Sequence, residues 1–121
     1  MFGGYDIYTH NGQKKASLKL DHLVKKLDDI GIGELVINSI NNDGTMNGYD
    51  FVLAEHVREI CSIPLTIMGG AKDYKDLKAL ISKFKIVGAA AGSLFVFKGK
   101  YRAVLINYPD KEERKKIYSE N

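Results

Sequence analysis

The chain has 121 residues, of which 45% are apolar and 27% charged, with a formal net charge of +3. That length allows one domain at most, spanning residues 1–121 with a core of its own. The charge is too mild for the dense basic stripe of a nucleic-acid binder, although it suits an anionic small molecule.

In chain order, Tyr5 to His10 favours a strand, and Asn11 to Lys15 reads as a polar loop. A helix is predicted over Leu18 to Ile30, where Leu20, Leu23, Val24, Leu27 and Ile30 form one apolar stripe that Gly31 and Gly33 stop. Leu35 to Ile37 is a buried strand that turns polar at Asn38 and Ser39. A loop with Asn41, Asn42, Asp43, Gly44 and Thr45 follows, and Asp50 is placed to cap a helix. That helix runs from about Tyr49 to Cys61, with Leu53, Val57, Ile60 and Cys61 inward, and Pro64 ends the connection. Leu65 to Met68 is a short strand broken by Gly69-Gly70. Asp73 caps a third helix whose Leu77, Leu80, Ile81 and Phe84 share a face. Ile86 to Ala91 is a fourth strand, ended by Gly92-Ser93 and a helical turn at Leu94 to Phe97. Tyr101 to Ile106 is extended, and a last helix starts at Pro109-Asp110, with Asp110 and Glu113 at capping-box spacing.

Cys61 has no partner for an internal disulfide, so a reducing compartment is expected. No apolar run is long enough for a membrane span, and Met-Phe-Gly-Gly-Tyr lacks a charged-then-apolar signal region. A cytoplasmic protein with no membrane partner is the expectation. No cluster of His, Cys and carboxylates has ligand spacing, so no metal or other cofactor is expected.

Strands thus start near Tyr5, Leu35, Leu65 and Ile86, each followed by a helix. Alternating strands and helices imply α/β architecture with a parallel sheet. Four such units form either a small doubly wound sheet or half of a (βα)8 barrel, whose full form takes roughly 250 residues. The loops favour the half-barrel, because polar or glycine-rich segments follow every strand on the same side. Gly69-Gly70 and Gly92-Ser93 sit where barrels commonly bind phosphate, after the last two strands. Tight turns account for the same glycines.

Three segments carry a family resemblance: Tyr8 to Lys15, Gly33 to Asp50, and Ala91 to Phe97. With them, essentially the whole chain resembles the C-terminal half of the cyclase subunit of imidazole glycerol phosphate synthase. Ala103 to Pro109 is more similar to the paralogues associated with amidation of surface-polysaccharide sugars. The resemblance implies a TIM barrel contributing strands five to eight, a glutaminase partner supplying ammonia, and a phosphorylated small-molecule substrate. It also implies that Asp43 and Gly44 lie beside the substrate phosphate, that Gly70 contacts phosphate, and that Gly92 and Ser93 are the small pair after the last strand. Asn11 stands where the family has a serine and Asn38 where the histidine branch has a threonine, both able to bond a substrate hydroxyl. Glu34 matches an acidic residue that helps gate the ammonia entrance. The family's two catalytic aspartates end strands one and five. Strand one is absent, Asp6 is not the second aspartate, Asn41 replaces another aspartate and Met68 a serine. The chain therefore resembles a truncated or split family member that is inactive alone, since asparagine cannot carry a proton in flight.

Each candidate has a plainer reading. Asp43 is an auxiliary acid or phosphate-loop orienter, or else an Asx turn before Gly44. Gly92 and Ser93 are phosphate ligands or a helix cap. Lys14 and Lys15 attract an anion or form a solvated loop. His10 reads as a satisfied loop residue, His56 as surface, Cys61 as a small core hydrophobe, and Arg114 to Lys116 as a helix end. Three functions remain open: the phosphate-binding half of an ammonia-dependent enzyme completed by an N-terminal half, a non-catalytic half-barrel that homodimerises, and a degenerate product that folds poorly.

Overall fold

A computed structural model describes residues 4–84 and 87–119. The chain opens with β1 (Asp6–Thr9) and β2 (Lys14–Lys19), then α1 (Leu20–Ile30), β3 (Leu35–Asn38), α2 (Phe51–Ile60), β4 (Leu65–Met68) and α3 (Tyr74–Lys83). It continues with β5 (Val87–Ala89), α4 (Ser93–Val96), β6 (Phe97–Lys98), β7 (Ala103–Val104) and α5 (Lys111–Tyr118). No helix among the described residues is long and apolar enough to cross a membrane.

The central sheet is parallel, in the order β3-β4-β5, with Leu35 opposite Leu65 and Leu65 opposite Val87. Consecutive parallel strands that stay neighbours, joined by right-handed crossovers, put every helix on the same face. Burial agrees. Leu65 and Ile67 are fully buried on the helix side, and Leu35 and Ile37 pack beside them. Val36, on the opposite face, is 54% exposed. A doubly wound sheet reverses its order and carries helices on both faces, so the sequential order selects the half-barrel alternative. No closed barrel forms among the described residues.

The helices follow their signals. Asp50 accepts from the Leu53 amide at 2.9 Å and Asp73 from the Asp76 amide at 3.0 Å, which fixes the starts of α2 and α3. Asp110 and Glu113 form the complete capping box of α5. Gly31, at φ 76, closes α1 by donating to Leu27 and Asp28. Leu53, Val57, Leu77, Leu80 and Phe84 meet Leu65 and Ile67 in the core, and α5 adds Ile117. Burial pushes the Cys61 thiol up, as expected of a core cysteine.

Two predictions need correction. The strand at Tyr5 to His10 does not join the parallel sheet, which among the described residues has three strands rather than four. Instead β1 pairs antiparallel with β2, and the segment assigned to a loop at Lys14 and Lys15 is strand. His10, Asn11 and Gly12 all adopt positive φ and reverse the chain there. Lys15 pairs with Asp6 at 2.7 Å across the hairpin, so it serves the turn's far side rather than a free loop. The extended tail is also a hairpin, β6 against β7. The predicted fourth strand reached back to Ile86, which lies outside the described residues, and its described part ends at Ala89.

Ile67→Ala removes all of the side chain beyond Cβ at the centre of the sheet and should cost about 2–5 kcal/mol. Val52→Ala, at a side chain 53% exposed on α2, should cost less than about 0.5 kcal/mol. Urea midpoints of the two variants measure the difference, and equal losses would mean that β4 is not the core strand.

Candidate functional site

The carboxyl ends of β3, β4 and β5 point the same way because the strands are parallel. Their following loops therefore converge, and backbone bonds stitch them together. Ser39 donates to Met68 at 2.9 Å, which joins the ends of β3 and β4. The Ser39 carbonyl accepts from Asn42 and Asp43, turning the loop back at once. Asn42 Nδ2 donates to the Gly48 carbonyl at 3.2 Å, and the Gly48 amide donates to Gly70 at 2.8 Å. Ala90 donates to Ile67 at 2.9 Å, tying in the third loop. Tyr49 closes the set, with its buried hydroxyl donating to the Ala90 carbonyl at 2.8 Å. Burial, helped by Asp76, pushes the Tyr49 phenol well above its ordinary value, so it remains a donor across the working pH range.

The result is a small recess lined by Asp43, Gly44, Met46, Gly69, Gly70, Ala71, Ala91, Gly92 and Ser93. Five of the sequence-predicted residues, Asp43, Gly44, Gly70, Gly92 and Ser93, thus meet in one place. Glycine is required at Gly70. Its φ is +97, and an added Cβ would run into the Gly48 carbonyl. Gly92, by contrast, has open space where a Cβ would stand.

Asn11 and Asn38 lie elsewhere. Together with Asp43 they line a groove of about 1090 Å³ beside the open edge of β3. Its apolar wall is the α1 stripe, Leu20, Leu23, Val24 and Leu27, of which only Val24 is fully buried. Asn38 Nδ2 reaches Asp43 Oδ2 at 3.2 Å, so Asp43 stands on the wall between groove and recess. Glu34 is at the other end of the sheet, before β3, where its carboxylate accepts from Thr66 Oγ1 at 2.5 Å. It makes no approach to the recess.

The plainer readings hold for the histidines. His10 Nδ1 meets Thr9 Oγ1 at 3.0 Å, and His56 Nε2 meets Asp21 at 2.7 Å, bridging α2 to α1. Sequence reasoning missed Arg102. It donates to the Gly44 carbonyl at 2.6 Å from the turn between β6 and β7. Nothing local marks an arginine 58 residues downstream as a neighbour of that loop.

The recess offers neutral backbone groups and one carboxylate at the carboxyl end of a parallel sheet, with a glycine-lined floor. Such a recess is small and leaves little room for a bulky group. Residues 2–102 match the model of the family described as histidine biosynthesis protein. The chain belongs to that family. Its members have the TIM-barrel fold, with which three sequential parallel strands and one open sheet face are consistent. A Leptospira interrogans relative, provisionally named imidazole glycerol phosphate synthase subunit HisF, is 46% identical over 94% of this chain and 45% of its own length. A Vibrio vulnificus relative, provisionally named subunit hisF3, is 50% identical over 96% of this chain and 45% of its own. The subunit HisF of Pseudoalteromonas translucida is 38% identical over 77% of this chain and 38% of its own. The chain thus spans less than half the length of the curated family members it matches. The resemblance to the cyclase subunit, with its paralogue names, is borne out.

Gly70→Ala should lose the Gly48–Gly70 bond and cost more than about 1 kcal/mol, because both its φ and its surroundings exclude a Cβ. Gly92→Ala should melt with the parent protein. Thermal unfolding compares them, and a Gly70→Ala protein as stable as the parent would mean that the three loops do not meet as described.

Proposed function

We propose that the chain is the C-terminal, phosphate-binding half of an ammonia-dependent cyclase of the imidazole glycerol phosphate synthase type, or of a sugar-amidation paralogue. The observation that carries this reading is the convergence of Gly44, Gly70, Gly92 and Ser93 in one recess. In this reading their backbone groups hold the substrate phosphate, with Asp43 orienting the loop. Asn11 and Asn38 face the groove and bond substrate hydroxyls further in. Glu34, at the amino end of the sheet, belongs to the ammonia entrance, opposite the recess. A cytoplasmic glutaminase subunit supplies the ammonia.

The half needs a complement, and surface area supports this. A compact monomer of 13.5 kDa exposes about 6,500 Å². This chain exposes 8452 Å². The surplus of roughly 2,000 Å² is more than one side of a standard protein interface. An N-terminal half-barrel covers the open sheet face and brings the acid–base groups that a cyclisation requires. The chain alone then binds and does not turn over.

Two measurements test the proposal. Light scattering of the full chain at micromolar concentration should show self-association that inorganic phosphate strengthens. Mixing with the remaining N-terminal part of a relative such as the Vibrio protein should give a one-to-one complex with ammonia-dependent turnover. A homodimer that binds phosphate but gains no activity from the N-terminal part would favour the non-catalytic half-barrel. A compact monomer indifferent to phosphate would overturn both readings.

A further inference from the structure

The recess as lined has a charge problem. Of its lining residues only Asp43 is charged, and its carboxylate has the sign of the anion the recess would hold. Backbone amides are partial charges and offset a phosphate dianion beside a carboxylate poorly. A full positive charge nearby would offset it, and the β6–β7 hairpin carries Arg102, whose side chain bonds the recess residue Gly44.

Arg102 is held in place from three directions. Its Nη2 donates to the carbonyl of Gly44, a recess residue, at 2.6 Å. Its guanidinium lies 5.0 Å from the centroid of the Phe97 ring, within cation–π range. Its backbone amide donates to Gly99 at 3.0 Å, and its φ is 50. A left-handed conformation at a non-glycine residue persists only where the surroundings fix it. A planar guanidinium bonded through one nitrogen still carries further N–H donors, in the fork geometry that suits phosphate oxygens. The match to the family model ends at Arg102 itself.

We propose that Arg102 is the cationic ligand of the recess, gripping from outside a phosphate monoester whose inner oxygens face the glycine backbone. The inference rests on the phosphate reading of the recess and adds to it a specific side chain on a hairpin. The hairpin thereby becomes part of the proposed binding site. Arg102 positions and neutralises the ligand. It moves no proton, since a guanidinium stays charged.

Calorimetric titration of the full chain with inorganic phosphate and with ribose 5-phosphate, at fixed ionic strength in chloride, tests this. Arg102→Ala should weaken both about ten-fold or more, the usual worth of a charge-assisted bond. Arg102→Lys should recover only part, because it keeps the charge and loses the fork. Lys100→Ala, on the same turn, should bind like the parent, which separates a specific contact from general charge. Arg102 is exposed, so all variants should melt with the parent. Parent-like binding by Arg102→Ala would overturn the role of Arg102 and leave the glycine recess standing. No binding by the parent chain would overturn the recess reading and this inference together.

Discussion

Everything in this structure depends on the strand order of one small sheet. Because β3, β4 and β5 are parallel and consecutive, the chain must return to the same end of the sheet after each strand. Each return is a helix on the same side. One face of the sheet is therefore sealed by Leu53, Val57, Leu77 and Leu80, while Val36 stays exposed on the other. The same geometry gathers three loops at the carboxyl end. The open face and the shared recess have one cause. A sheet that placed helices on both faces would have reversed its strand order part-way along.

The loops then fix one another by short bonds to backbone atoms. Ser39 to Met68, Gly48 to Gly70 and Ala90 to Ile67 each join neighbouring strand ends. Such bonds leave side chains out of the argument, which is why glycine dominates the floor. Gly69 shows the tightness, since a Cβ there would stand 2.6 Å from the Ser39 carbonyl oxygen. Polar groups at the two ends of the sheet are kept apart by the strands themselves. Glu34 and Thr66 pair at one end, and Asp43 and Asn38 at the other.

Much of this was legible in the sequence, and for physical reasons. Helix starts were readable because Asp50, Asp73 and Asp110 cap locally, within three residues. β3 and β4 were readable because apolar runs bounded by Pro64 and by the Gly69-Gly70 pair leave few options. The hairpins were harder. β2 is exposed at five of its six positions, so no apolar alternation marks it. Its one signal was Asn11-Gly12, a strong hairpin turn, which reads equally as a loop. β6 and β7 are two residues each, below any periodicity. The glycine pairs announced turns, but only the closed loops show which glycines share a recess. The α1 stripe was found, yet Ile30 remains 65% exposed. Periodicity reports that a face is apolar, not that something covers it.

The carboxylates around the groove point to a division of labour. Asp6, Asp43 and Asp50 all line it. Asp6 is committed to Lys15, which holds its carboxyl below the usual range. Asp50 is committed to the Leu53 amide and the Tyr5 hydroxyl, as a helix cap. Asp43 bonds only an amide side chain, Asn38, among the contacts of its carboxylate in the described residues. Its neighbours along the strand and loop, Asn41 and Asn42, are neutral. Acid–base chemistry on a bound substrate needs at least two groups in opposite protonation states. Of these three carboxylates, Asp43 alone is tied to neither a cation nor a backbone amide among the described residues, and amide side chains flank it. Amides orient hydroxyls and phosphate oxygens, and they do not exchange protons at neutral pH. In the function proposed above, this half would hold one end of a ligand, and proton transfer at the other end would fall to groups arriving over the open face.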